Sequence, residues 1–169
     1  MEGIYEKISE LSRQVIRLCG ERGLKVSSAE SCTGGIISAA ITSVSGSSRV
    51  IELGVCSYSN RVKRDVLGVS EETLARCSEY STECAEEMAR GVLKLSGADF
   101  AVSTSGVAGP TGGSAENPVG TVYICVCKKN ADSVTKKYIF ENNGRDYIRA
   151  ASAEKALEML LEIIKNHIH

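Results

Sequence analysis

The sequence predicts an α/β fold: three layers, α/β/α, around a mixed, mostly parallel sheet with a late hairpin. Three observations predict it. Short apolar runs alternate with segments of helical period through the first hundred residues, as strand–helix–strand units do. Two strand-like runs, "GTVYICVCKK" and "VTKKYIF", then follow each other across "NADS", as an antiparallel pair does. A long amphipathic stretch, "RDYIRAASAEKALEMLLEIIKNH", closes the chain.

The elements follow in order. "YEKISELSRQVIRLCGERG" places Ile8, Leu11, Val15, Ile16, Leu18 and Cys19 at helical spacing, with Gly23 to end it. "LKVSSA" reads as a short buried strand. "IISAAITSV" is a small-residue helix stopped by "SGSS", and "VIELGVCSYS" is a strand. "NRVKRDVLG" is polar apart from Val62, Val66 and Leu67, which suits a short helix. Ser70, and then Ser81 or Thr82, stand as N-caps ahead of two further helices. "ADFAVSTSG" is a strand that runs into a loop. With no internal repeat, low-complexity segment or linker, residues 1–169 read as a single domain.

Composition narrows the function. Hydrophobic residues make up 43% but aromatics only 5%, with no Trp, so the core must be aliphatic. A net charge of −1 gives no electrostatic reason to expect nucleic acid or a membrane as partner. Seven Cys without a C-x-x-C pair fit neither a disulfide framework nor a zinc site. His167 and His169 lie at the extreme C-terminus, where a frayed tail is the expectation, so no metal site is expected. The start, "MEGIYEKISELSRQ", is too charged for a signal peptide, and no apolar run approaches a membrane span. A soluble, reduced, cytoplasmic protein is expected.

Three loops carry unusual chemistry, and each follows an expected strand, where ligands sit in open α/β sheets. The first is Glu30-Ser31-Cys32-Thr33-Gly34-Gly35. A serine at a helix start is most often an N-cap. Here two side-chain nucleophiles precede a glycine pair, which lets backbone N–H groups approach a ligand at a positive helix end. Ser31 would there have donors for an oxyanion. Cys32 is the rival, but no internal His exists to make its thiolate. The second loop, "SYSNRVK", offers Tyr58, Asn60 and Lys63. A Lys there is most often solvated; a Lys of lowered pKa is also the natural base for a Ser when no His is present. Burial, or cations such as Arg61, Arg64 or Arg145, would lower it. The third is "STSGVAGPTGGSAENPVG", which lacks a P-loop's Gly-Lys-Ser/Thr and the dinucleotide spacing. Plain turn chemistry explains its Gly and Pro, yet a loop this long in a compact domain is usually functional or disordered. Finally, Arg145 and Arg149 share a face at the start of the last helix. Cations are disfavoured there, which hints at an anionic ligand or at salt bridges.

Taken together, "AESCTGG", "YSNRVK", "LGV", "AEEMARG", "SGVAGPTGG", "PVGTVY" and "GRDYIR", in that order, resemble the CinA C-terminal domain family across nearly the whole chain. The resemblance implies a three-layer α/β/α fold in the stand-alone form. It implies hydrolysis of the carboxamide of nicotinamide mononucleotide (NMN), in pyridine-nucleotide salvage, without metal or organic cofactor, by a protein that is often a homodimer. It places the family's catalytic Ser, Tyr and Lys on Ser31, Tyr58 and Lys63, and its Arg on Arg145. Thr33, Gly34, Gly35, Ser105 and Gly106 are then the expected substrate-binding positions. One departure stands out: the family usually reads Thr-Gly before "IAGP", whereas this chain has Ser105 before Gly106, keeping the hydroxyl without its methyl. Two other readings stay open: a pyridine-nucleotide-binding or regulatory domain without turnover, and an amidase for another carboxamide.

Overall fold

The computed structural model describes residues 1–168. In chain order the elements are α1 (Glu2–Gly20), β1 (Val26–Glu30), α2 (Ile36–Thr42), a 3-10 turn (Ser47–Arg49), β2 (Ile51–Cys56), α3 (Asn60–Leu67), α4 (Glu71–Arg76), α5 (Thr82–Ser96), β3 (Phe100–Gly106), β4 (Thr121–Lys128), β5 (Ser133–Ile139) and α6 (Arg145–Ile168). The strands form one sheet in the order β2-β1-β3-β4-β5. β1 pairs in parallel with β2 and β3, and β4 pairs antiparallel with β3 and β5. Only β4 therefore runs against the rest, which is the mixed sheet with a late hairpin that the sequence predicts.

Helices cover both faces. α1, α2 and α6 pack together on one side, over a core that includes Val26, Ile37, Phe100, Ile124 and Leu157. α5 covers the other side, with Met88 and Val92 against Ala29 and Ala101, and α3 and α4 pack on it. Double coverage explains why β1 and β3 are buried at every position, whereas the edge strands β2 and β5 are not. Apart from Phe100 and Tyr123, the buried core is aliphatic, as the composition requires.

The caps are read correctly: Ser70 and Ser81 accept from the backbone N–H groups of Thr73 and Cys84. Two expectations change. α1 ends at Gly20, before Gly23, because the Leu24 N–H reaches back to the Cys19 carbonyl (3.0 Å) around a Gly23 at φ +66°. His167 is not in a frayed tail: it lies in the last turn of α6, edge-on to Phe100 with ring centroids 5.5 Å apart. His169 lies outside the described residues. The first and last helices pack against each other within the chain. Among the described residues no helix is long and apolar enough to cross a membrane.

Candidate active site

The three parallel strands β2, β1 and β3 end on the same edge of the sheet. From β1 the chain moves outward to β2 and then returns to β3 on β1's other side, which opens a crevice at the carboxyl end of β1. Ser31 is the first residue beyond that strand. Its N–H donates to the Thr104 carbonyl (2.9 Å), and its own carbonyl accepts from the Gly34 N–H (3.1 Å). The turn then enters α2 through Gly35 at φ +100°, a conformation that a side chain would strain.

Glu30 holds this turn. Its fully buried carboxylate accepts from the Thr33 hydroxyl (2.8 Å) and from the N–H groups of Gly35 (3.0 Å), Ile37 (3.1 Å) and Ser38 (2.8 Å). The acid thus caps α2 from the end of the preceding strand, where the helix end favours negative charge. Arg149 grips the same turn from α6: Nε donates to the Cys32 carbonyl (3.2 Å) and Nη2 to the Thr33 carbonyl (3.1 Å).

This bonding corrects one expectation. The N–H groups of Gly34 and Gly35 are used inside the protein, and the Thr33 hydroxyl is buried between Glu30 and Thr104. None of these three residues lines the cavity. Instead, the N–H groups of Cys32 and Thr33 donate to no protein oxygen among the described residues.

Lys63 comes from α3, whose start is capped by the Ser59 hydroxyl. It is 1% exposed, with Nζ 3.2 Å from Ser31 Oγ and 3.1 Å from the Ser57 carbonyl. Burial pushes its pKa below the ordinary lysine range. The cations suggested by the sequence do not contribute: Arg61 and Arg64 are engaged by Asp65 and Glu71 at the surface. The charges that favour the ammonium are acids, Glu79 among them. The thiols of Cys84 and Cys32 are themselves pushed up to about 12 by burial and stay neutral near pH 7, which leaves Glu79. The same burial makes Cys32 an unreactive neighbour of Ser31.

Tyr58 is 66% exposed, and its hydroxyl accepts from Arg145 Nη2 (2.8 Å). Arg145 Nη1 donates to the Gly109 carbonyl (2.8 Å), so the arginine ties the α6 start to the Gly-rich loop. Among the described residues it forms no ion pair, whereas Arg149 lies 3.7 Å from Asp146. Ser105 turns away from the crevice and donates to the Glu79 carbonyl (2.6 Å). Gly106 remains at the wall, where a Cβ would collide with the Thr121 carbonyl and lie 2.6 Å from Val122 Cα on β4.

Ser31, Tyr58, Lys63, Gly106 and Arg145 therefore share one cavity of about 270 Å³, with Cys32, Asn60, Ala108, Gly109, Thr111 and Gly112. That size suits a small molecule. Two further wall residues, Glu79 and Tyr80, had no sequence signal: an acid beside a tyrosine between two helices is ordinary loop composition.

Comparison with known proteins bears on the family and the fold. The CinA C-terminal domain matches residues 8–164. A CinA-like protein of Thermotoga maritima is 44% identical over 160 residues, which is 95% of this chain and 38% of that protein. The nicotinamide-nucleotide amidohydrolase PncC of Enterobacter agglomerans is 44% identical over 162 residues, covering 95% of this chain and 98% of the relative. The crystal structure of a competence/damage inducible protein from Agrobacterium tumefaciens superposes with a TM-score of 0.90 at 45% identity, over 92% of this chain and 94% of that one.

Proposed function

The chain belongs to the CinA C-terminal domain family, and from that membership and the Ser31–Lys63 contact we propose that it hydrolyses the carboxamide of NMN to nicotinate mononucleotide and ammonia. The observation that carries the reading is a buried lysine, with lowered pKa, 3.2 Å from a serine at the floor of a small-molecule cavity. The chain also matches, along nearly its whole length, a relative named as a nicotinamide-nucleotide amidohydrolase, which supports an amidase.

In the proposed mechanism neutral Lys63 donates one N–H to the Ser57 carbonyl and turns its lone pair toward Ser31. It takes the Ser31 proton as Oγ attacks the carboxamide carbon, and the oxyanion meets the N–H of Cys32 at the cavity wall. Arg149, on the Cys32 and Thr33 carbonyls, fixes the turn that carries Ser31 and Cys32. The lysine then protonates the leaving nitrogen, ammonia departs, and water cleaves the ester with Lys63 again as base. Arg145, with no acidic partner among the described residues, and the loop through Gly109 and Gly112 take the phosphate.

The purified protein, treated with EDTA, is expected to release ammonia and nicotinate mononucleotide from NMN in equal amounts, and none from free nicotinamide. Absence of ammonia release would leave a binding domain. Activity lost to EDTA and restored by zinc would replace the serine–lysine chemistry with a metal's. Arg145→Ala is expected to raise KM for NMN by roughly ten-fold or more, corresponding to ~1.5–3 kcal/mol for a charge-assisted phosphate contact, with a smaller loss in kcat. Steady-state kinetics check this; an unchanged KM with a large kcat loss would move Arg145 to the reacting centre.

A further inference from the structure

We infer that Glu79 and Tyr80 form the wall that receives the substrate's positively charged ring, so that the site selects an N1-substituted pyridinium over the same ring in a neutral form. The inference rests on the reading of the protein as an NMN amidase and assigns the residues that recognise the ring.

The loop between α4 and α5 is built, not slack. Ser78 lies at φ +67°, a conformation uncommon for a residue with a side chain. Two unrelated elements hold the loop's backbone against the cavity. Ser105, on β3, donates to the Glu79 carbonyl (2.6 Å). Asn117, in the Gly-rich loop, donates to the Tyr80 carbonyl (3.1 Å) and is itself fixed by the Tyr123 hydroxyl (3.0 Å). This is where the hydroxyl of Ser105 acts: it positions Glu79.

The charge pattern points to the ligand. Glu79 lines the cavity, and its carboxylate makes no hydrogen bond or ion pair among the described residues. With Lys63 neutral, as the mechanism requires, Glu79 is a negative charge without a partner. Arg145 lines the same cavity and, among the described residues, is a positive charge without an acid. The cavity thus holds one charge of each sign, as does a substrate with a cationic ring and an anionic phosphate. Tyr80, and Tyr58 at the mouth, add aromatic faces that attract a cation. A neutral ring would cover Glu79 and leave it without compensation, which is discrimination by an unpaired charge.

The test compares one shape in two charge states. NMN is the substrate; reduced NMN has the same carboxamide and phosphoribosyl group but an uncharged dihydropyridine ring, and it is scored as a competitive inhibitor. KM for NMN and Ki for reduced NMN are measured for the wild type, Glu79→Gln and Glu79→Asp, each at its pH of maximal kcat. Glu79→Gln is expected to raise KM for NMN roughly five- to ten-fold, to lower Ki for reduced NMN and to retain kcat within about three-fold. Glu79→Asp is expected to restore most of the preference for the charged ring. A Ki for reduced NMN that does not rise also reports that the variant's cavity is intact. Equal weakening of both ligands would reduce Glu79 to a scaffold residue, and an unaltered preference would show that Glu79 does not face the ring; either overturns the inference. A wild type that turns over NMN while Glu79→Gln keeps the preference removes this assignment alone. A wild type that releases no ammonia from NMN removes the amidase reading and the inference with it.

Discussion

Replacing Ser31 by Ala is expected to lower kcat for NMN by at least about 10³-fold, more than ~4 kcal/mol of barrier, because a covalent route loses its first bond. Cys32→Ala is expected to retain most of the activity. The two side chains are adjacent, but only Ser31 has a base within reach, and burial holds the Cys32 thiol up at about 12, far from the thiolate a nucleophile needs. The measurement is kcat for both variants at saturating NMN. A Cys32→Ala enzyme as inactive as Ser31→Ala would transfer the role to the thiol.

Lys63→Arg is expected to be nearly as damaging as Lys63→Ala, each losing about 10²–10⁴-fold in kcat. Guanidinium keeps the charge but does not deprotonate in a protein, so it cannot take the Ser31 proton. Were Lys63 only a charge for the phosphate, Arg would restore much of the rate. The pH dependence follows from the same side chain. Burial favours the neutral amine, so the Lys63 pKa lies below its ordinary value of 10.5, and the competent fraction grows as pH rises through the lowered value. kcat/KM should therefore climb with pH along a limb below the ordinary lysine range and flatten above it. Glu79 favours the ammonium and works against burial, so Glu79→Gln should move that limb to lower pH. A substantial kcat in Lys63→Arg would leave Tyr58, or water, to activate Ser31.

The parts of this molecule that local rules govern were legible in the sequence. The Ser70 and Ser81 caps, the alternation of strand and helix and the β4–β5 hairpin follow from capping chemistry and periodicity. Ser31 and Lys63 were legible as a possible pair because the lack of an internal His left few bases for a serine. What was not legible depends on partners far away in sequence. Gly34 and Gly35 looked like ligand donors, but Glu30 and the Ser31 carbonyl take their N–H groups once the turn closes. Ser105 looked like a substrate contact, but the α4–α5 loop lies within reach of its hydroxyl. Of the two causes the sequence offered for a lowered Lys63 pKa, burial acts and the surface cations do not, because Arg61 and Arg64 pair with surface acids while Lys63 is buried. Arg149, which suggested either an anion or a salt bridge, lies 3.7 Å from Asp146 and also grips two carbonyls of the nucleophile's turn.

The account's central claim is that Ser31 carries the acyl group. Its most direct measurement is the mass of the intact protein, acid-quenched during turnover of saturating NMN and then cleaved for peptide mapping. The predicted result is an adduct equal to substrate less ammonia, on the peptide that contains Ser31, and absent from Ser31→Ala. An adduct on a peptide that lacks Ser31, or ammonia release by Ser31→Ala at the wild-type rate with no adduct, would contradict it.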